Sequence, residues 1–309
     1  MRIAITGGAG FIGSHLVDHY LRSGDEVVVI DNLITGRKEN IAHHLGNGKF
    51  TWLEQDVCSV QSLEGTIDHI LHFACPASPF DYLKYPIKTL HVMSFGTDTM
   101  LRLAREKKAH FLLASTSEVY GDPTIHPQHE DYTGNVNVLS TRAVYDEGKR
   151  FAEALTLAYQ RKHGLETGII RIFNTYGERM RVGDGRVIPA LIKAALKNEP
   201  FPIFGDGTQT RSFCYVTDMV SAIVRAVETR HPLPINLGNP AEYTILEVAG
   251  IIKRLCASSS EYQYMPLPES DPKKRRPDIT KAKEILNWQP TVPLEQGLQR
   301  VITWFKEVL

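Results

Sequence analysis

The chain is sparing with features that would mark several broad classes of protein. It has four cysteines, Cys58, Cys75, Cys214 and Cys256, far apart and without a C-x-x-C pair. That spacing points to neither a zinc site nor a disulfide framework, so a reducing, cytoplasmic setting is expected. The twelve histidines are scattered, with His43-His44 the only adjacent pair, and no metal site is expected. Lysine plus arginine and aspartate plus glutamate both total 35. Such a balance offers no global attraction to nucleic acid or to an anionic membrane. No stretch of about 18 apolar residues occurs, the chain does not begin with a basic-then-apolar leader pattern, and no repeat period is visible. A small molecule held in a site is the expected partner, and 309 residues allow a sizeable core and about two domains.

What is present begins with a strand pattern. Met1 to Thr6 is a short apolar, β-branched run ending at Gly7-Gly8-Ala9-Gly10-Phe11-Ile12-Gly13, after which Ser14 to Leu21 has helical periodicity with Phe11, Ile12, Leu16 and Tyr20 on the apolar face. Strand, glycine loop and helix in that order let a backbone approach a pyrophosphate and set its charge at the helix N-terminus. Gly7, Gly10, Phe11, Ile12 and Gly13 are therefore offered to a dinucleotide. A second buried strand, Glu26 to Ile30, ends at Asp31-Asn32. An acid about 20 residues beyond the glycines can bond ribose hydroxyls and would repel a 2′-phosphate, so Asp31 argues for NAD, unless it merely caps a turn. Arg37, nearby, keeps NADP open.

Further strands are expected at Phe50 to Leu53, Ile67 to Phe73, His110 to Ala114 and Gly168 to Ile172, alternating with helices over Pro86 to Lys107 and Arg142 to His163. Alternation of this kind predicts an α/β fold with a doubly wound parallel sheet and ligands at the carboxyl ends of its strands. By that rule Asp56 and Val57, just past the third strand, lie where an adenine can lodge, an ordinary turn being the alternative. The loop His72 to Pro79 is rich in small residues and proline, which lets a cofactor pass Ala74 and brings Pro79 toward the substrate; Cys75 reads as a small wall residue.

Two segments carry reactive groups. Leu113 to Asp122 runs from an apolar strand straight into Ser115, Thr116, Ser117 and Glu118, and Arg142 to Lys149 places Tyr145 and Lys149 four apart on one helix face. A fixed ammonium beside a phenol favours phenolate and makes a proton acceptor for a sugar or alcohol hydroxyl. Without a fold to join them, these segments are equally a turn cap and a surface helix.

The glycine loop, the Ser115–Asp122 segment and the Tyr-x-x-x-Lys helix together resemble the extended short-chain dehydrogenase/reductase family that acts on nucleotide sugars. Longer stretches, Ala74 to Pro79, Tyr145 to Arg150, Arg171 to Gly177, Gln209 to Val216 and Arg276 to Ile279, resemble the branch of that family that decarboxylates UDP-glucuronate, and the likeness spans nearly the whole chain. The resemblance implies a bound, recycled NAD, a 4-keto sugar intermediate and UDP-xylose as product. It assigns the base to Tyr145, its partner to Lys149, a hydroxyl hydrogen bond to Ser117, and decarboxylation with C5 protonation to Glu118 and Arg275. Arginine is a poor acid, so orientation of substrate or water is the better role for Arg275; the alternatives for the run Lys273-Lys274-Arg275-Arg276 are a solvated basic face and a diphosphate clamp.

The Rossmann-type domain is expected over residues 1–175 and a smaller substrate domain over 176–309, with segments such as Pro234 to Gly238 returning to the first. Asn174, Arg186, Gln209 and Arg211 are offered to the UDP moiety, Arg211 because guanidinium suits phosphate, with a surface ion pair as its alternative. The last helical stretch, Leu294 to Val308, reads as packing only. A homodimer is implied, with Val144, Ala152, Leu155 and Tyr159 as available apolar surface or simply as core. Ser117 stands where sugar dehydratases carry an acid, and Glu118 where epimerases usually lack one. A uronate 4-epimerase is the second reading, and a silent NAD- or UDP-sugar-binding protein the third. Met93, where the family usually carries the asparagine of its proton relay, is the main departure; Val138, where proline is common, is a smaller one.

Overall fold

Runs of β-branched and apolar residues too short for helices become strands when both of their faces are covered. In the computed structural model, which describes residues 1–267 and 274–309, six such runs come first: β1 (Arg2–Thr6), β2 (Glu26–Ile30), β3 (Phe50–Leu53), β4 (His69–His72), β5 (His110–Thr116) and β6 (Thr167–Ile172). With Ile235–Leu237 they form a seven-stranded sheet in the order Ile235–Leu237, β6, β5, β4, β1, β2, β3. Every neighbouring pair is parallel. The chain winds outward from β1 to β3 and then returns to β4 on the other side of β1. That reversal opens a crevice at the carboxyl ends of β1 and β4.

One face of the sheet is covered by α1 (Phe11–Arg22) and the helices Val216–Thr229 and Thr280–Leu286, packed through Leu16, Val17, Met219, Ile223 and Leu286. The opposite face is covered by Thr97–Lys107 and Ala143–His163, through Leu101, Ala104 and Ala152. A separate core is built from Val187–Lys197, Ile245–Leu255 and Leu294–Val308 around Phe201, Ile203 and Tyr215. In the last helix Leu294, Leu298, Val301, Ile302 and Phe305 are all buried, as their spacing predicts. The strand expected near Pro234 to Gly238 does join the sheet, pairing Ile235–Leu237 with β6.

Two details differ from the periodicity. The helix expected over Pro86 to Lys107 is divided by a wide π turn at Val92–Gly96, where Met93 is buried and Ser94 Oγ donates to the Leu90 carbonyl at 2.7 Å. Phe11 and Ile12 are only half-buried and border the crevice, while Val17, not read as part of the apolar face, is fully buried. Helix starts at a ligand site expose their first residues, whatever their hydrophobicity.

The turn after β1 leaves no room for side chains. Gly7 has φ +71°, and a Cβ on Gly13 would stand 2.2 Å from the Gly7 carbonyl oxygen. Both atoms belong to backbone, which cannot rotate away. Gly13→Ala is therefore expected to cost about 1–3 kcal/mol in denaturant unfolding, as overpacking does; unchanged stability would contradict the tight-turn account.

Candidate active site

A cavity of about 710 Å³ opens at the strand ends, between the sheet and the separate helical core. All the residues offered above to cofactor, substrate or chemistry lie on its wall. At one end is the glycine loop. The Gly7 N–H donates to the Ile30 carbonyl at 2.8 Å, tying the loop to β2, and a Cβ at Gly7 would meet the Ala74 nitrogen at 2.8 Å. Gly10 caps α1 without a side-chain acceptor, and the first turn of α1 holds no acid. The opening N–H groups of a helix have no intrahelical acceptor, so this end suits a pyrophosphate.

Asp31 follows β2, nearly buried. Its Oδ2 accepts the Ala9 N–H at 3.0 Å and its Oδ1 the Leu33 N–H at 2.8 Å. Burial raises its carboxyl above the ordinary range, and these two backbone donors pull the other way. Asn32 Nδ2 donates to Asp56 Oδ2 at 3.1 Å, and the Cys58 N–H donates to Asp56 Oδ1 at 2.9 Å. Val57 lies beside them, buried. This constellation fits a dinucleotide with free ribose hydroxyls. Arg37 faces Glu39 at 3.5 Å and does not border the cavity.

The reactive groups meet midway along. Tyr145, 6% exposed, stacks on Tyr82 with ring centroids 5.1 Å apart and 14° between planes. Lys149 Nζ donates to the Ala114 carbonyl at 2.7 Å and lies 5.9 Å from the Tyr145 ring centroid. Burial pushes Tyr145 well above its ordinary value, and the Thr116 hydroxyl and the Arg186 charge act the other way. In a dry pocket, desolvation of phenolate outweighs a cation whose proton is already directed at a carbonyl. The Thr116 hydroxyl accepts the Glu118 N–H at 3.3 Å, and Ser117, buried, lines the cavity wall next to it. Met93 packs in the same cluster with Tyr82 and Tyr145, its Sδ 2.3 Å from where a Cβ on Gly148 would be. A thioether there cannot itself pass a proton toward Lys149.

Glu118 heads the turn after β5 and is held from both sides. Arg142 Nη2 donates to its Oε2 at 2.6 Å, and Arg275 Nη1 donates to its Oε1. Burial alone would raise this carboxyl, but the Arg275 and Arg142 charges and their hydrogen bonds more than offset it and hold it near about 2. Arg275 is 3% exposed, so it is no solvated basic residue. Lys274 is exposed and Arg276, half-buried, lies 3.7 Å from Glu242; Lys273 falls outside the described residues. Arg142 was given no role from sequence. Its signal is position: it opens the Tyr145 helix, three residues before the phenol.

At the far end Arg186 is held by Asp184, with Nη2 to Oδ2 at 2.8 Å. Parallel pairing of Thr210–Ser212 with Lys274–Arg275 sets Arg211 in register with Arg275. Arg211 Nη1 donates to the Thr210 carbonyl at 2.8 Å, and the residue is buried. Gln209 Nε2 donates to the Phe204 carbonyl at 2.8 Å, the Asn174 carbonyl accepts the Cys214 N–H at 2.9 Å, and Pro79 opens a short helix capped by Ser78. Two arginines at this end suit a diphosphate.

Comparison with known proteins places the chain among relatives of one family. Residues 3–238 match the model of the NAD dependent epimerase/dehydratase family. The chain is 51% identical over 308 residues to UDP-glucuronic acid decarboxylase 1 of Danio rerio, covering 100% of this chain and 73% of that protein. It is 50% identical over 307 residues to UDP-glucuronic acid decarboxylase 4 of Arabidopsis thaliana, covering 99% of this chain and 69% of that one. Among solved structures, UDP-glucuronic acid 4-epimerase from Bacillus cereus, in complex with UDP-glucuronic acid and NAD, superposes with a TM-score of 0.90 at 30% identity over 100% of both chains.

Removing Glu118 would leave Arg275 and Arg142 without their shared anion. Glu118→Ala should lower unfolding free energy by about 3 kcal/mol at pH 7, as loss of one partner of a buried ion pair does. Because the folded value lies below that of an unfolded glutamate, this contribution is present above about pH 4.3 and is lost as pH falls toward 2. The gap between wild type and variant should therefore narrow from pH 5 downward; a gap that does not depend on pH would remove the ionic explanation.

Proposed function

The chain belongs to the NAD dependent epimerase/dehydratase family, and we propose that its cavity divides into a dinucleotide end at Gly7–Gly13, Asp31 and Asp56, a reacting centre at Tyr145, and a UDP end at Arg186 and Arg211. The reaction is decarboxylation of UDP-glucuronate to UDP-xylose, the activity named for relatives about half identical to this chain along its whole length. One observation carries the residue assignment: an ionised Glu118, fixed between Arg142 and Arg275, shares a wall with Tyr145.

The dinucleotide end fits NAD, its glycine turn suiting the pyrophosphate and Asp31 the ribose hydroxyls. When bound, NAD⁺ supplies the hydride acceptor for sugar C4 and gives the hydride back at the end. The chain's residues handle protons and charge. Tyr145 takes the C4 hydroxyl proton, its phenol steadied by the Thr116 hydroxyl and, once charged, by the Lys149 cation. The 4-keto uronate is a β-keto acid, so the C5–C6 bond breaks with its electron pair moving into the ketone. Tyr145, Thr116 and Ser117 donate hydrogen bonds to the resulting enolate oxygen. Arg275 and Arg142 orient the substrate carboxylate; as guanidinium groups they do not surrender a proton.

The same tyrosine and lysine would serve a uronate 4-epimerase, the activity named for the Bacillus cereus structure. We also infer a homodimer. Ala152 and Leu155 are taken up by the chain's own core, which explains them without a partner, but Ile87, Phe95 and Phe151 stand 62%, 62% and 51% exposed on adjoining helices. A second copy is the occupant these helices suit. No helix among the described residues is long and apolar enough to cross a membrane. The cysteine usage favours the cytoplasm.

Purified protein given UDP-glucuronate should release CO₂ and a UDP-pentose, read by mass; unchanged mass with a galacturonate product would establish the epimerase instead. Tyr145→Phe should lower kcat by at least about 10³-fold, the scale of a lost general base, with NAD binding nearly intact. Retained turnover would take Tyr145 out of the base role.

A further inference from the structure

Three groups outside the cavity converge on a point that the reaction does not use. Asp18 projects from the middle of α1, and His43 and His44 lie in the short turn Ala42–His44 beyond β2. His43 Nε2 stands 3.0 Å and His44 Nε2 2.7 Å from one oxygen, Asp18 Oδ1. The three ligand atoms lie within 4.8 Å of one another. Consecutive side chains on a helical turn do not face each other, yet these two rings lean together, with centroids 4.0 Å apart and 44° between planes. Spacing along the chain gives no reason to expect a metal here, because the third group comes from a helix 25 residues before His43.

The cluster is also held from behind. Asp18 Oδ2 accepts from Arg179 Nη2 at 2.6 Å, which fixes the carboxylate with Oδ1 turned to the rings. His44 is half-buried and packs on Phe50, ring centroids 5.6 Å apart. Burial would raise the Asp18 carboxyl, but Arg179 and the two imidazoles hold it below its ordinary range, so it is ionised at neutral pH. Two imidazole nitrogens and a carboxylate oxygen are donors for a borderline transition ion, whereas Mg²⁺ and Ca²⁺ take oxygen. A tetrahedral Zn²⁺ with bonds of about 2.0–2.2 Å sets its ligands roughly 3.3 Å apart, so opening the cluster by about half an ångström admits the ion. We propose that Asp18, His43 and His44 form a binding site for one Zn²⁺, with water in the fourth position.

Coordination by neutral rings releases no proton, since each moves its N–H from Nε2 to Nδ1 and frees the Nε2 lone pair for the ion. The ion then joins α1 to the turn Ala42–His44. Just before that turn, Asn40 lines the dinucleotide end of the cavity and its Nδ2 donates to the Ala9 carbonyl of the glycine loop at 2.9 Å. Zn²⁺ therefore braces the cofactor end from outside and takes no part in the reaction, and the proposal goes beyond the decarboxylase reading without depending on it.

The test is titration of the full chain, freed of metal by a chelator, with ZnCl₂, followed by calorimetry and by thermal unfolding. One equivalent should bind and raise Tm. X-ray absorption of the loaded protein should show two imidazoles among nitrogen and oxygen neighbours at about 2.0–2.2 Å. His43→Ala combined with His44→Ala should weaken binding by at least about tenfold, the scale on which metal sites respond even to lost supporting groups, and abolish the rise in Tm. Asp18→Asn should act in the same direction. His19→Ala, which removes a histidine from the same helix but outside the cluster, should change neither. Absence of binding, binding unchanged in the double histidine variant, or sulfur neighbours at about 2.3 Å from the cysteines overturns the proposal. Should the variants fail to fold, the imidazole count in the unaltered chain still decides.

Discussion

The ion cluster at Glu118 is the constraint on which the rest of the site depends. Its two oxygens are claimed by Arg142, at the start of the Tyr145 helix, and by Arg275, from a strand near the other end of the chain. One carboxylate therefore joins the end of β5, the catalytic helix and the C-terminal segment. Burying such a cluster is expensive unless every charge is met. Strand pairing also aligns Arg275 with Arg211, so the same segment brings the Glu118 cluster and Arg211 to one cavity wall.

On the proposed reading, Glu118 sets a permanent anion beside the substrate's carboxylate, which disfavours carboxylate there relative to neutral CO₂ while the arginines hold the substrate. The phenol lies in equally dry surroundings, where burial raises Tyr145 well above its ordinary value. Met93 belongs to this picture. It seals the back of the phenol with apolar bulk, and Lys149 turns its proton to the Ala114 carbonyl.

Much of this was legible in the chain because it is local. The glycine turn, the strand ending at Asp31 and the Tyr145–Lys149 spacing each depend on residues a few positions apart, and the doubly wound sheet follows from their alternation. The role of Arg142 was not legible, because it is set by its contact with Glu118, and Arg275, which holds the other oxygen, is 157 residues from Glu118 in sequence. The π turn at Met93 could not be read from spacing that still looks helical.

The central claim is that one carboxylate is lost through a 4-keto intermediate whose C4 hydrogen leaves and returns within a single closed site. Turnover of UDP-glucuronate in D₂O, followed by NMR of the product, tests it most directly. The account predicts UDP-xylose with one deuterium at C5 and the substrate's own hydrogen retained at C4. A product without deuterium at C5, or one with solvent deuterium at C4, would contradict it.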